Sequence, residues 1–166
     1  MKILACTAAL FAFSGAAMAQ QSSVKPLVVN IMNAEGQAVG TATLSPAASG
    51  VKIVLDIKKL PPGEHSIHIH QVAKCDPPDF KTAGSHFSPA GHAHDAAPAG
   101  DIPDFSLIVG KDGTAHVSTV APNVTMGNDD HSVFSNGGTA IVIHAVAGGT
   151  GSGAPPRIAC GIVAKP

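Results

Sequence analysis

The strongest constraint on the fold is a series of short apolar, β-branched runs, each followed by glycine, proline, asparagine or aspartate. Such runs predict β-strands ended by turns. No segment keeps the 3.6-residue apolar period of an amphipathic helix. The pattern predicts an all-β fold, an antiparallel sandwich or barrel of eight strands. The predicted strands are Leu27–Met32, Val39–Leu44, Val51–Ile57, Ser66–His70, Asp104–Val109, Thr114–Thr119, Ala140–Val146 and Ile158–Val163.

Three stretches lack strand character: residues 72–103, 121–138 and 147–156. Loops longer than about 12 residues in a compact domain are usually functional or disordered. Six of the nine histidines lie between His65 and His94, across the first stretch and the strand before it. This concentration favours a functional loop.

The N-terminus has the pattern of a secretory signal peptide. Lys2 supplies a positive charge, Ile3–Phe13 an apolar core and Ala17–Ala19 a small-x-small cleavage site. The apolar run is too short for a membrane anchor. We therefore expect residues 1–19 to be removed and residues 20–166 to form one exported domain, periplasmic or extracellular.

Two cysteines, Cys75 and Cys160, remain after the signal, which takes Cys6 with it. In an oxidising compartment an isolated pair predicts a disulfide; two buried free thiols are the alternative. The formal net charge is −1 and no basic block is present, so we expect no nucleic acid and no anionic membrane as partner.

Four histidines could share one metal ion. His68 and His70 lie two residues apart in a predicted strand, so their side chains project from the same face. His144 ends the apolar run Ala140–His144, and His86 lies in the first long loop. Imidazole suits zinc, copper, iron and nickel, and an all-histidine tetragonal set favours copper.

Five segments, in order along the chain, resemble the copper/zinc superoxide dismutases. They are Gly63–His70 (GEHSIHIH), Ala83–Pro89 (AGSHFSP), Gly100–Pro103 (GDIP), Gly138–His144 (GTAIVIH) and Arg157–Val163 (RIACGIV). The resemblance implies a Greek-key β-sandwich with long metal-site loops. It also implies an enzyme that converts superoxide, a small anionic substrate, to dioxygen and hydrogen peroxide.

The resemblance further implies which residues act. Copper is expected on His68, His70, His86 and His144. His86 would also be the bridging histidine, which releases copper and takes a proton during turnover. Arg157 is the only arginine in the chain, and the family places it beside copper to guide the anion. The predicted disulfide would hold the loop around this arginine.

The zinc site departs from the family pattern. Asp101 is present, and either His94 or His92 lies near the expected distance after His86. The remaining histidine position is Pro98, which has no ligand atom. Gly148 also replaces an aspartate that links the two metal sites in the family. Two alternatives stay open: a copper-only enzyme, or a zinc site rebuilt from His86, His92, His94 and Asp101.

A second function is also consistent with these losses, a copper-binding or copper-buffering protein of the same fold with little dismutase activity. Retention of Arg157 favours the enzyme, because copper storage needs no guide for an anion. For oligomeric state, a homodimer and a monomer both stay open. His65, on the opposite strand face from His68, is expected to be structural.

Overall fold

The structure is a computed structural model that describes residues 24–89, 97–103, 105–147 and 155–166. The predicted signal peptide lies outside these ranges. So do three residues on which the predicted zinc site depends, His92, His94 and Gly148. The described chain forms nine strands and two short 3₁₀ turns. The strands are β1 (Leu27–Asn33), β2 (Ala38–Ala47), β3 (Gly50–Ile57), β4 (Gly63–His65), β5 (Ile67–His70), β6 (Leu107–Val109), β7 (Ala115–Ala121), β8 (Thr139–His144) and β9 (Arg157–Val163); the turns are Lys81–Ala83 and Ser135–Gly137.

The all-β antiparallel fold is confirmed, with one strand more than the eight predicted. The additional strand is β4, which a single residue, Ser66, separates from β5. The Ser66 N–H donates to the carbonyl of Val146, and its own carbonyl accepts the N–H of His144. These bonds transfer the chain from pairing with β6 to pairing with β8, and the strand predicted as Ser66–His70 begins one residue later, at Ile67. The strand predicted from Asp104 begins only at Leu107.

Seven strands form one antiparallel sheet in the order β5-β8-β9-β1-β2-β3-β7, and β4 pairs with β6. The chain passes from β4 to β5 through Ser66 and from β6 to β7 through the turn 110–114. The small sheet therefore connects the two outer strands of the large one, which curves as a half-barrel.

Alternation of burial, clearest on β3, builds much of the core, whereas β8 is buried at every position. On β3, Val51, Ile53, Leu55 and Ile57 are buried, whereas Lys52 and Asp56 between them are exposed. Burying each such side chain contributes about 1.5–3 kcal/mol. The core thus makes β5 and β8 a rigid platform for the residues of the site. Within the described ranges no helix has the length and apolar content needed to cross a membrane.

The predicted disulfide is confirmed. Cys75 and Cys160 are bonded, with their Cα atoms 5.7 Å apart. Cys160 on β9 is buried in a small cluster with Phe80 and Val142, apart from the main core. The bond therefore ties the loop after β5 to the sheet, and the alternative of two free thiols is wrong.

Candidate metal centre

Strand pairing brings three histidines together. β5 carries His68 and His70 and pairs with β8, which ends at His144. The β8–β9 register shifts between Ile143 and His144, so that His144 lies opposite Arg157. Such an irregularity at a strand end redirects a side chain. These positions follow from the register of the sheet, not from a loop.

The fourth histidine comes from the loop, which runs alongside β5. His86 forms an isolated antiparallel bridge with His70. The Phe87 N–H donates to the Ile69 carbonyl at 2.8 Å, and the Gln71 N–H donates to the Ser85 carbonyl at 3.0 Å. The loop backbone thus continues the sheet for a few residues and places the His86 ring against that of His68, with centroids 4.1 Å apart.

The four rings converge on one point. One nitrogen from each of His68, His70, His86 and His144 lies within 4.8 Å of the others. Three of the buried nitrogens have no hydrogen-bond partner in the described structure: His68 Nδ1, His70 Nε2 and His144 Nε2. A buried polar atom left unpaired costs about 1–3 kcal/mol. Their convergence fits a metal ion, and four imidazole nitrogens fit copper.

In His70 and His144 the second ring nitrogen is hydrogen-bonded to the backbone, which fixes the nitrogen that faces inward. His70 Nδ1–H donates to the Gly84 carbonyl at 2.9 Å, and His144 Nδ1–H donates to the Pro155 carbonyl at 3.0 Å. Each bond leaves the Nε2 lone pair free. Hydrogen bonds of this kind orient metal-binding histidines and raise their basicity.

The electrostatics favour the neutral ligand form. Burial lowers the pKa of His68 to about 4, with the neighbouring His86 and His144 adding to the effect. Burial lowers the pKa of His70 to about 3, against the opposing hydrogen bond to Gly84. The pKa of His144 is also lowered, chiefly by burial. At neutral pH these three rings are therefore unprotonated and ready to bind a metal.

Arg157 lies beside the cluster with its side chain fixed. Nη1 donates to the Phe80 carbonyl and Nη2 to the Gly84 carbonyl, both at 2.7 Å. Burial lowers its pKa, but a guanidinium stays charged at any working pH. The Gly84 oxygen accepts from both Arg157 and His70, so one backbone group ties the cation to a ring of the cluster.

A cavity of about 500 Å³ gives access to these groups. Its lining combines the guanidinium, three of the four rings and small polar side chains. The lining residues are His70, Gln71, Ser85, His86, Ser88, Pro98, His144 and Arg157. A small anion entering the cavity meets a fixed positive charge next to the histidine cluster.

His65 is buried outside the cluster and contacts it only through the backbone. Its ring nitrogens lie 2.9 Å from the His144 carbonyl and 2.8 Å from the Pro61 carbonyl. The ring thus links the segment before β4 to the end of β8, as expected of a structural residue.

The described part of the predicted zinc site is small. Asp101 Oδ1 lies 2.6 Å from His86 Nδ1, so the two side chains hydrogen-bond to each other. Pro98 lines the cavity and offers no ligand atom. The zinc set of His86, His92, His94 and Asp101 stays a prediction, since His92 and His94 lie outside the described ranges.

The sequence did not predict two backbone groups of the site, the carbonyls of Phe80 and Gly84. A backbone acceptor leaves no mark on side-chain pattern. The one sequence signal was the glycine itself at position 84, in a Gly-Ser-His segment. In the structure Gly84 adopts a positive φ of 78°. A Cβ there would lie 2.9 Å from the Gln71 side chain.

Comparison with known proteins agrees with this geometry. The family profile described as copper/zinc superoxide dismutase (SODC) matches residues 38–163. "Superoxide dismutase [Cu-Zn] 1" of Aquifex aeolicus (strain VF5) is 38% identical, with 96% of each chain covered. "Superoxide dismutase [Cu-Zn] 2" of the same strain is also 38% identical, covering 80% of this chain and 83% of the relative.

Among solved structures, a SOD-like protein from Bacillus subtilis superposes with a TM-score of 0.72 at 30% identity. The superposition covers 82% of this chain and 97% of that one. The profile match spans most of the chain, from β2 to the end of β9. The chain belongs to the copper/zinc superoxide dismutase family.

Proposed function

We propose that this chain is an exported superoxide dismutase, in which two superoxide anions and two protons give dioxygen and hydrogen peroxide. One observation supports this most directly: four converging imidazoles, three with buried unpaired nitrogens, lie beside a fixed guanidinium. Copper bound there supplies the one-electron chemistry, which zinc cannot, because zinc has a single oxidation state. We assign His68, His70, His86 and His144 as its ligands.

Arg157 attracts and orients the substrate. Among the described residues it is the only lysine or arginine that lines the cavity, and hydrogen bonds to two carbonyls hold the guanidinium in place. A fixed charge at the end of a cleft raises the local concentration of a small anion and its rate of encounter. Dioxygen and hydrogen peroxide carry no charge at neutral pH, so the same residue does not retain the products.

His86 delivers the proton in this proposal. It lines the cavity, and its side chain is 31% exposed, so water can reach the ring. Because Asp101 accepts the Nδ1 hydrogen, the nitrogen available to take and release a proton is Nε2.

Export is supported by the disulfide, because disulfides form and persist mainly in oxidising compartments. The two matched superoxide dismutases of Aquifex aeolicus are bacterial proteins. We therefore infer that residues 1–19 direct the chain to the periplasm. The choice between monomer and homodimer stays a prediction, which sedimentation of the mature chain would decide.

The decisive experiment measures superoxide decay by pulse radiolysis, with chain 20–166 loaded with copper and stripped of zinc. Rapid catalytic decay would establish a dismutase that works on copper alone. Slow decay restored by zinc would mean that the loop supplies a zinc site after all. The zinc-only protein is the control and should be inactive, since zinc does not change its oxidation state.

Slow decay with both metals would favour the second candidate, a copper-binding protein with little catalysis. This candidate is favoured by Pro98, which occupies the position of a zinc ligand in the family and has no ligand atom in its side chain. Tight copper binding without turnover would be its signature.

A further inference from the structure

Asp101 makes a direct hydrogen bond to His86 that a shared zinc ion would not require. The family pattern makes this aspartate a zinc ligand. Here its carboxylate accepts a hydrogen bond from His86 Nδ1 at 2.6 Å. A neutral histidine carries one ring hydrogen, so an acceptor fixed at Nδ1 leaves Nε2 unprotonated.

Backbone hydrogen bonds place Asp101 next to His86. Pro98, Gly100 and Asp101 belong to a turn in which the Asp101 N–H donates to the Pro98 carbonyl at 3.1 Å. Gly100 anchors this turn both to β5 and to the loop segment that carries His86. Its N–H donates to the Phe87 carbonyl and its carbonyl accepts the Ile69 N–H, both at 2.9 Å.

Gly100 is also packed without room for a side chain. A Cβ at this position would run into the carbonyl oxygen of Ile69 and would lie 2.8 Å from the Phe87 nitrogen. Because Phe87 directly follows His86, the turn that carries Asp101 is held at a fixed distance from His86. This packing places the Asp101 carboxylate next to His86 Nδ1.

We propose that Asp101 is a positioning residue for His86: it holds the ring in the tautomer that presents Nε2 to copper, and it does so without a second metal. The proline at position 98 is then part of the turn that aims the carboxylate at His86. The inference rests on the copper site of the proposed function, but not on dismutase activity.

The test starts from zinc-free, copper-free mature chain labelled with ¹⁵N. Long-range ¹H–¹⁵N correlation reads the His86 tautomer, with its signals assigned by their loss in His86→Ala. The wild type should show the Nδ1–H form alone. Asp101→Ala should admit the Nε2–H form, and its Cu(II) affinity, read by chelator competition, should fall about 10–100-fold.

Two further variants make the result specific. Asp101→Asn keeps a carbonyl oxygen that accepts from Nδ1–H, so it should keep the tautomer and recover part of the lost affinity. Asp56→Asn removes an exposed carboxylate on β3 and should leave both readouts unchanged. Wild-type tautomer and wild-type affinity in zinc-free Asp101→Ala would overturn the proposal.

An effect of Asp101→Ala on copper affinity that appears only with zinc present would also overturn it, since Asp101 would then act as a zinc ligand. The readouts separate this inference from the proposed function. If the wild type binds copper and shows the expected tautomer but does not turn over superoxide, the dismutase assignment fails and the positioning role stands.

Discussion

The two halves of the histidine-rich site differ in what holds their residues. On the copper side, His68, His70 and His144 belong to the paired strands β5 and β8, above a core of buried aliphatic side chains. On the zinc side, the described residues belong to one turn, in which Pro98 has no ligand atom and Asp101 contacts His86.

This difference means that strand register constrains the copper ligands more strongly than the zinc ligands. A one-residue slip of β5 would move both of its histidines to the opposite face and would expose Ile67 and Ile69, so the copper ligands are coupled to the core. A turn can change a ligand without such a cost. We therefore expect copper binding to depend on few single residues outside the sheet, and zinc binding to depend on the loop.

The largest expected effect comes from removing a ligand on the sheet. In His68→Ala we expect dismutase activity to fall at least about a hundredfold, more than orienting contacts alone contribute to metal affinity. The lost nitrogen, Nδ1, has no other partner in the described structure, so folding should change little. Copper content by mass spectrometry and activity on the same sample check this.

The matched control is His116→Ala, which removes an exposed histidine from β7. It should keep full copper and full activity. Retention of both by His68→Ala as well would contradict the copper assignment.

Removal of the disulfide tests how much the stability of the fold depends on the covalent link between the loop after β5 and the sheet. Cys75 and Cys160 are separated by 85 residues, for which the chain-entropy model gives roughly 4.5 kcal/mol. We expect the double variant Cys75→Ala, Cys160→Ala to lose about this free energy of unfolding in urea. Reduced wild type is the control and should unfold at a similar midpoint. A loss below about 1 kcal/mol would mean that the loop is held mainly by packing.

Much of the copper side was predictable from sequence because its signals are periodic or come from local residue type. Period-two alternation located β1, β2 and β3, and the spacing of His68 and His70 placed both rings on one site. Only two cysteines remained to pair in an oxidising compartment.

Other features could not be predicted, because they depend on the backbone of distant segments. Ser66 separates β4 from β5 by bonding to residues on and after β8, nearly eighty positions away. The hydrogen bond between Asp101 and His86 depends on how the turn packs against β5, and the zinc role predicted for Asp101 stays a prediction. Residue types alone do not distinguish a metal ligand from a partner of a metal ligand.

A smaller effect is expected at Arg157, which no metal contacts in our assignment. In Arg157→Ala the rate of superoxide turnover should fall about 10–100-fold, within the range that electrostatic guidance contributes to encounter rates. Copper content should not change. The rate should also lose part of its dependence on ionic strength, which pulse radiolysis at several salt concentrations measures.

Arg157→Lys should lie between the two, because an ammonium keeps the charge but not the planar pair of bonds to Phe80 and Gly84. Lys52→Ala, which removes an exposed cation from β3, is the control for net charge. Equal rates for the wild type and Arg157→Ala would remove the anion-guiding role.

The smallest expected effect concerns the loop side. Pro98→His restores the residue type that the family has there, so zinc affinity should rise at least about tenfold over the control Pro98→Ala, measured by competition with a chelating dye. The carbonyl of residue 98 still accepts the Asp101 N–H in both variants. Zinc binding would have to break the hydrogen bond between Asp101 and His86 Nδ1, and this cost limits the gain in zinc affinity. A different result would be equal zinc affinity in Pro98→His and Pro98→Ala, with tight zinc binding by the wild type. It would show that His92 and His94 already complete a zinc site in the loop without a ligand at position 98.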